Sequence, residues 1–120
     1  MDYDEELRFQ KVKTELEKKF GEGMDVQSIL FLIGVNELGM GYKEFSKQEK
    51  TDVLHVAICT LLEPYGYYKF EKHDDEGWPH FNLIKELPPL NDREQQHLIK
   101  EAMISYFEEN DYFKVGNASN

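Results

Sequence analysis

Residues 67–84 read Tyr67-Tyr68-Lys69-Phe70-Glu71-Lys72-His73-Asp74-Asp75-Glu76-Gly77-Trp78-Pro79-His80-Phe81-Asn82-Leu83-Ile84. Their reading decides whether the chain is purely helical or mixed. Two runs rich in β-prone residues, 67–71 and 78–84, flank a polar connection that ends in glycine, and this pattern predicts an antiparallel hairpin. Pro79 cannot donate to a ladder, so it belongs at an edge or a strand end. Six of the 16 aromatic residues fall between Tyr65 and Phe81. With Glu71 facing Trp78, Lys69 facing His80 and Tyr67 facing Asn82, alternation gathers Tyr68, Phe70, Pro79, Phe81 and Leu83 on one wholly apolar face. That face is expected to pack on helices. The opposite face then carries Tyr67, Lys69, Glu71, Trp78, His80 and Asn82.

Upstream of the hairpin, three segments read as helices. Over 4–20, Phe9, Val12, Leu16 and Phe20 form one stripe and charged residues fill the rest, with Asp4–Arg8 and Glu15–Lys19 at i,i+4 spacing. Tyr3 and Leu7 lie nearly opposite that stripe, and Gly21 is the stop. Asp25 is placed to cap a second helix, 26–38, which is apolar on nearly every side and therefore expected at the centre. Gly34 inside it forfeits about 1 kcal/mol against Ala, a cost that signals close approach by another element. Gly39-Met40-Gly41 is a break without a phosphate-binding pattern. Ser46-Lys47-Gln48-Glu49 is a capping box opening a third helix that ends near Pro64, with Val53, Leu54, Ala57, Ile58, Leu61 and Leu62 on its apolar face. After the stiff Leu87-Pro88-Pro89-Leu90, Asn91 and Glu94 open a last helix whose face is Leu98, Ile99, Ala102, Met103, Tyr106 and Phe107. The expected fold is a small, mainly helical α+β domain of four helices, with one hairpin inserted before the last. It is read as a single domain over 1–113 with a flexible tail at 114–120.

Length and composition narrow the function classes. The 120 residues carry 24 acidic and 14 basic side chains, a formal charge of −10. No segment is basic: the pieces 1–24, 25–45, 46–64, 65–90 and 91–120 carry −2, −2, −1, −2 and −3. An evenly acidic surface repels polyanions, so duplex nucleic acid is not an expected partner. The order of three helices then a hairpin is topologically like a winged helix, a weaker alternative in which the third helix would read DNA. Against it, the tip of that wing would be Asp74-Asp75-Glu76. The longest apolar run, Ile29–Ile33, is too short for a bilayer span. The acidic start is unlike a secretory signal, and one cysteine excludes an internal disulfide framework. A cytoplasmic location without membrane association is expected.

Chemistry-bearing constellations are few. A calcium loop with Gly77 at its sixth position puts Lys72 first and Leu83 twelfth, so an EF-hand is excluded. Asp52, His55, Cys59 and Glu63 follow at helical spacing on the third helix. Of these Asp52, His55 and Cys59 are weak metal candidates, and no cofactor is expected. No acid, base and nucleophile set converges, so the sequence points to an interaction or regulatory module rather than an enzyme. A small metal-binding protein or metal-dependent enzyme using that His/Cys face is the alternative. The partner-binding candidates are Tyr67, Lys69, Trp78 and His80 on the outward hairpin face, contacting a protein partner by strand addition or a second copy of the chain.

Overall fold

The computed structural model describes residues 3–38 and 43–109. Helix α1 spans Tyr3–Phe20, α2 Val26–Leu38 and α3 Lys47–Leu62, followed by a short 3-10 turn Glu63–Tyr65. Strands β1 (Tyr68–His73) and β2 (Pro79–Leu83) form the antiparallel hairpin, and α4 (Asp92–Glu109) closes the order. This is the expected α+β arrangement, with one hairpin before the last helix. The Gly39-Met40-Gly41 break and the 114–120 tail lie outside the described residues. The described residues fall into two compact units, one within 3–25 and 90–109 and the other within 26–38 and 43–89.

In the first unit α1 buries Glu5, Phe9, Val12 and Leu16. Phe20, expected on the stripe, is instead exposed beside the stop. There Gly21 has φ +110° and donates its N–H to the Glu17 carbonyl at 2.9 Å. On α4 the buried residues are Ala102, Met103, Ile104 and Phe107, while Leu98, Ile99 and Tyr106 are half-buried. The α4 start is the expected capping box: Glu94 N–H donates to Asn91 Oδ1 at 2.8 Å, and Asn91 N–H to Glu94 Oε1 at 2.9 Å. Ionic pairs join the two helices, with Arg8 on Glu108 at 2.8 Å and Lys100 on Glu6 at 3.5 Å.

The second unit is built on α2 against α3. A Cβ on Gly34 would collide with the Val53 carbonyl oxygen and lie 2.6 Å from Val53 Cγ1, so the glycine is the close approach its cost signals. The α3 start has both reciprocal bonds of the box, Glu49 N–H to Ser46 Oγ at 3.1 Å and Ser46 N–H to Glu49 Oε1 at 2.9 Å. Val56 and Cys59 are buried along with Val53, Ala57, Leu61 and Leu62, whereas Leu54 and Ile58 are only half-buried. Leu38, Phe45, Val53 and Val56 make one apolar cluster, against which Phe31, Val35, Trp78 and Phe81 pack.

The hairpin register departs from expectation. Tyr68 pairs with Leu83, Lys69 with Asn82 and Phe70 with Phe81; beyond an irregularity at 70–72, Lys72 pairs with His80 and His73 with Pro79. Asp74 is the reason. Its backbone N–H donates to the Trp78 carbonyl, and its Oδ1 accepts from the N–H groups of Glu76 and Trp78, all at 2.9 Å. That arrangement closes a short turn over 74–78 and carries β1 through His73. The closing pairs are one residue out of step with the outer ones, and a bulge at Glu71 absorbs the difference.

The outer pairs move by two residues, an even number, so Tyr68, Phe70, Phe81 and Leu83 still share a face. The bulge adds His73 to it, with its ring 5.1 Å from Phe70. That face is not wholly packed: Pro79 is buried and Phe81 half-buried, but Phe70 is 39% and Leu83 54% exposed. Trp78, placed on the outward face by the expected register, packs edge-on against Phe45 with centroids 6.4 Å apart.

Candidate functional site

Polar residues of α3 and the hairpin turn face one another across a cleft of about 430 Å³. It is lined by Glu49, Asp52, His55, Val56, Asp74, Glu76, Trp78, Pro79, His80 and Phe81. The capping box fixes where α3 begins and so sets Glu49, Asp52 and His55 along successive turns of one side. The Asp74 turn fixes the other wall. His80 Nε2 lies 2.9 Å from Asp74 Oδ2, so one carboxylate holds both the turn and the imidazole. Trp78, packed on Phe45, supplies an aromatic floor whose back is core.

Four carboxylates line this space, and the described lining contains no lysine or arginine. Asp74 is held below the usual carboxylate range, first by its bond to His80 and then by the N–H groups of Trp78 and Glu76. Glu49 is likewise lowered, chiefly by the Ser46 N–H and further by Lys43, whose Nζ is 3.4 Å away. Both carboxylates therefore stay charged at neutral pH. Asp52 accepts from the Gln48 amide at 3.1 Å.

Of the partner-binding candidates, Trp78 and His80 line the cleft. Tyr67 and Lys69 do not: Tyr67 is half-buried with Lys85 Nζ 4.7 Å from its ring, and Lys69 is exposed. Of the two hairpin edges that could accept an added strand, the one on β1 is occupied at its middle, because the Phe70 N–H donates to a Glu63 carboxylate oxygen at 2.9 Å.

Of the metal candidates, Asp52 and His55 face the cleft, but Cys59 is wholly buried. His55 Nε2 lies 3.4 Å from Cys59 Sγ, and burial pushes the thiol pKa up to about 11, so the free thiol stays protonated near neutral pH. Among the described residues, the His, Cys, Asp and Glu side chains that bring their ligand atoms within 4.8 Å of one another are Glu5, His97 and Glu101. Sequence reasoning missed the acidic wall of Glu49, Asp74 and Glu76, which becomes visible only when the hairpin is folded against α3. The buried Glu5 was also missed, though its spacing to Phe9, Val12 and Leu16 marks it as part of the stripe.

No family model, curated protein or solved structure matches the chain. No helix among the described residues is long and apolar enough to cross a membrane.

Proposed function

We propose that this protein is a non-catalytic interaction module that takes a basic segment of a protein partner into the cleft between α3 and the hairpin. The observation that carries this reading is four carboxylates, Glu49, Asp52, Asp74 and Glu76, set around the half-buried indole of Trp78 with no lysine or arginine in the described lining. An arginine or lysine entering there meets carboxylates at its head and an aromatic face along its stem, the pairing that cation–π and charge-assisted contacts favour. The volume lies within the roughly 300–1,000 Å³ typical of binding clefts. An acidic surface with charge −10 speeds association with a cationic partner and discourages nucleic acid.

Trp78 is the chain's single tryptophan, so its fluorescence reports this site alone. Titration with a short arginine- and lysine-rich peptide at low salt is expected to give a saturable change that fades as salt is raised. Asp52→Asn with Glu76→Gln is expected to weaken it roughly tenfold, or about 1.4 kcal/mol. A glutamate-rich peptide producing the same response, or a basic peptide producing none, would refute the reading.

A further inference from the structure

Helix α1 buries residues at positions 5, 9, 12 and 16, and three of these are Phe9, Val12 and Leu16. The fourth is Glu5, a carboxylate on a core-facing stripe and only 9% exposed. A buried carboxylate is costly unless a partner compensates its charge. One partner is His97 on α4, whose Nδ1 lies 2.9 Å from Glu5 Oε1. One helical turn further along α4 is Glu101, and the ligand atoms of all three side chains fall within 4.8 Å of one another. We propose that Glu5, His97 and Glu101 bind one divalent transition-metal ion, of the Zn²⁺, Mn²⁺ or Fe²⁺ kind, bridging α1 and α4 within their unit.

Charge and donor type support this assignment. Two carboxylates and a neutral imidazole carry −2, the charge that one divalent ion matches. Mixed nitrogen and oxygen donors suit zinc, manganese and ferrous iron, whereas calcium and magnesium take oxygen ligands. The spread of up to 4.8 Å is wider than a coordination shell at about 2.1 Å requires, so the side chains close slightly on the ion. His97 and Glu101 are exposed, so the ion has an entry path and its remaining positions are open to water.

Lys100, the residue before Glu101, is engaged elsewhere: its Nζ lies 3.5 Å from Glu6 Oε1 and 4.9 Å from the Phe9 ring centroid. When the ion binds, His97 gives up its hydrogen bond to Glu5 and ligates through Nδ1, and any proton on that nitrogen is released to solvent. The site is separate from the cleft and does not depend on the function proposed for it.

The test uses the full chain freed of metal by chelator, titrated with Zn²⁺ by calorimetry and with Co²⁺ by visible absorption. One ion per chain is expected, with a d–d spectrum showing nitrogen and oxygen ligation and a metal-dependent rise in melting temperature. Glu101→Gln alters an exposed side chain, and His97→Gln keeps an amide that can donate to the buried Glu5; both should leave the apo fold intact by circular dichroism, while each weakens binding at least roughly tenfold. His55→Ala with His80→Ala, the control in the cleft, should leave affinity unchanged. Absence of binding at millimolar metal would overturn the proposal. So would binding that survives both α4 substitutions or is lost in the cleft control.

Discussion

The two helix pairs of this protein are joined by different forces. Between α2 and α3 the backbones approach so closely that Gly34 leaves no room for a methyl group beside Val53, and the surrounding side chains are apolar. Between α1 and α4, charged contacts supplement the buried stripe: Arg8 with Glu108, Lys100 with Glu6 and His97 with Glu5. The contact between the first pair is therefore governed by volume, and salt and pH act on α3 chiefly at its capped start. The second is governed in part by protonation and ionic strength. A protein that draws its specificity from shape in one place and from charge in another answers to different perturbations in each.

Four perturbations break or sharpen this contrast. The largest effect is expected from Gly34→Ala. The new Cβ meets the Val53 carbonyl, a backbone atom that moves only if α3 moves, so stability should fall by about 2–3 kcal/mol despite the gain in helix propensity. Chemical denaturation reads this directly, and an unchanged midpoint would refute the close approach. Next comes Ser46→Ala, which removes the oxygen accepting the Glu49 N–H at the start of α3 and should cost about 1 kcal/mol. Hydrogen exchange should show that loss in the first turn of α3 rather than in α1.

Acid comes third. Glu6 is held below the usual carboxylate range by the Gln10 amide first and Lys100 after it. A folded pKa below the unfolded one gives stabilisation that is fully present above the ordinary carboxylate value and lost as pH falls through the folded one. Exchange in α1 and α4 should therefore rise at pH 3, and 1 M salt at pH 7 should reproduce part of the rise while α2 is little affected. Glu49 and Asp74 follow the same sign, so the α3 cap and the hairpin turn should loosen in the same window. If α2 opens before α1 and α4 under acid or salt, the contrast is wrong. The smallest effect belongs to Arg8→Ala, because its contact with Glu108 joins two largely exposed side chains; about 0.5 kcal/mol or less is expected from a thermal melt.

The parts legible in the sequence are those whose cause lies within a few residues. Ser46 with Glu49 and Asn91 with Glu94 each complete their hydrogen bonds across three positions, so both helix starts could be read directly. Gly34 was also legible, because a glycine in an otherwise apolar helix needs a tertiary reason.

The hairpin's existence followed from composition, but its register did not. The register hinges on one side chain, Asp74, gathering the Glu76 and Trp78 N–H groups and pulling the turn shut, and on a bulge that no alternation reveals. The site was half legible for a similar reason. Trp78 and His80 were singled out from the hairpin and Asp52 and His55 from α3, yet their meeting in one cleft depends on a packing geometry between segments more than 20 residues apart. Tyr67 and Lys69 lie outside that cleft: Tyr67 sits at the far end of α3, its N–H donating to the Leu62 carbonyl at 3.3 Å, and Lys69 is exposed.

Cys59 gives this molecule a built-in clock. Its thiol lies on the buried face of α3 and, with a pKa near 11, reacts only when that face opens and returns it to water. The rate at which an alkylating reagent consumes the single thiol, divided by the rate for an unfolded chain, therefore gives the population of that opening. A ligand seated in the cleft beside His55 would slow the clock, since it holds the helix that carries the sulfur. Ageing samples would acquire intermolecular disulfides at the pace of the same opening, so a ligand that slows alkylation would also slow that loss.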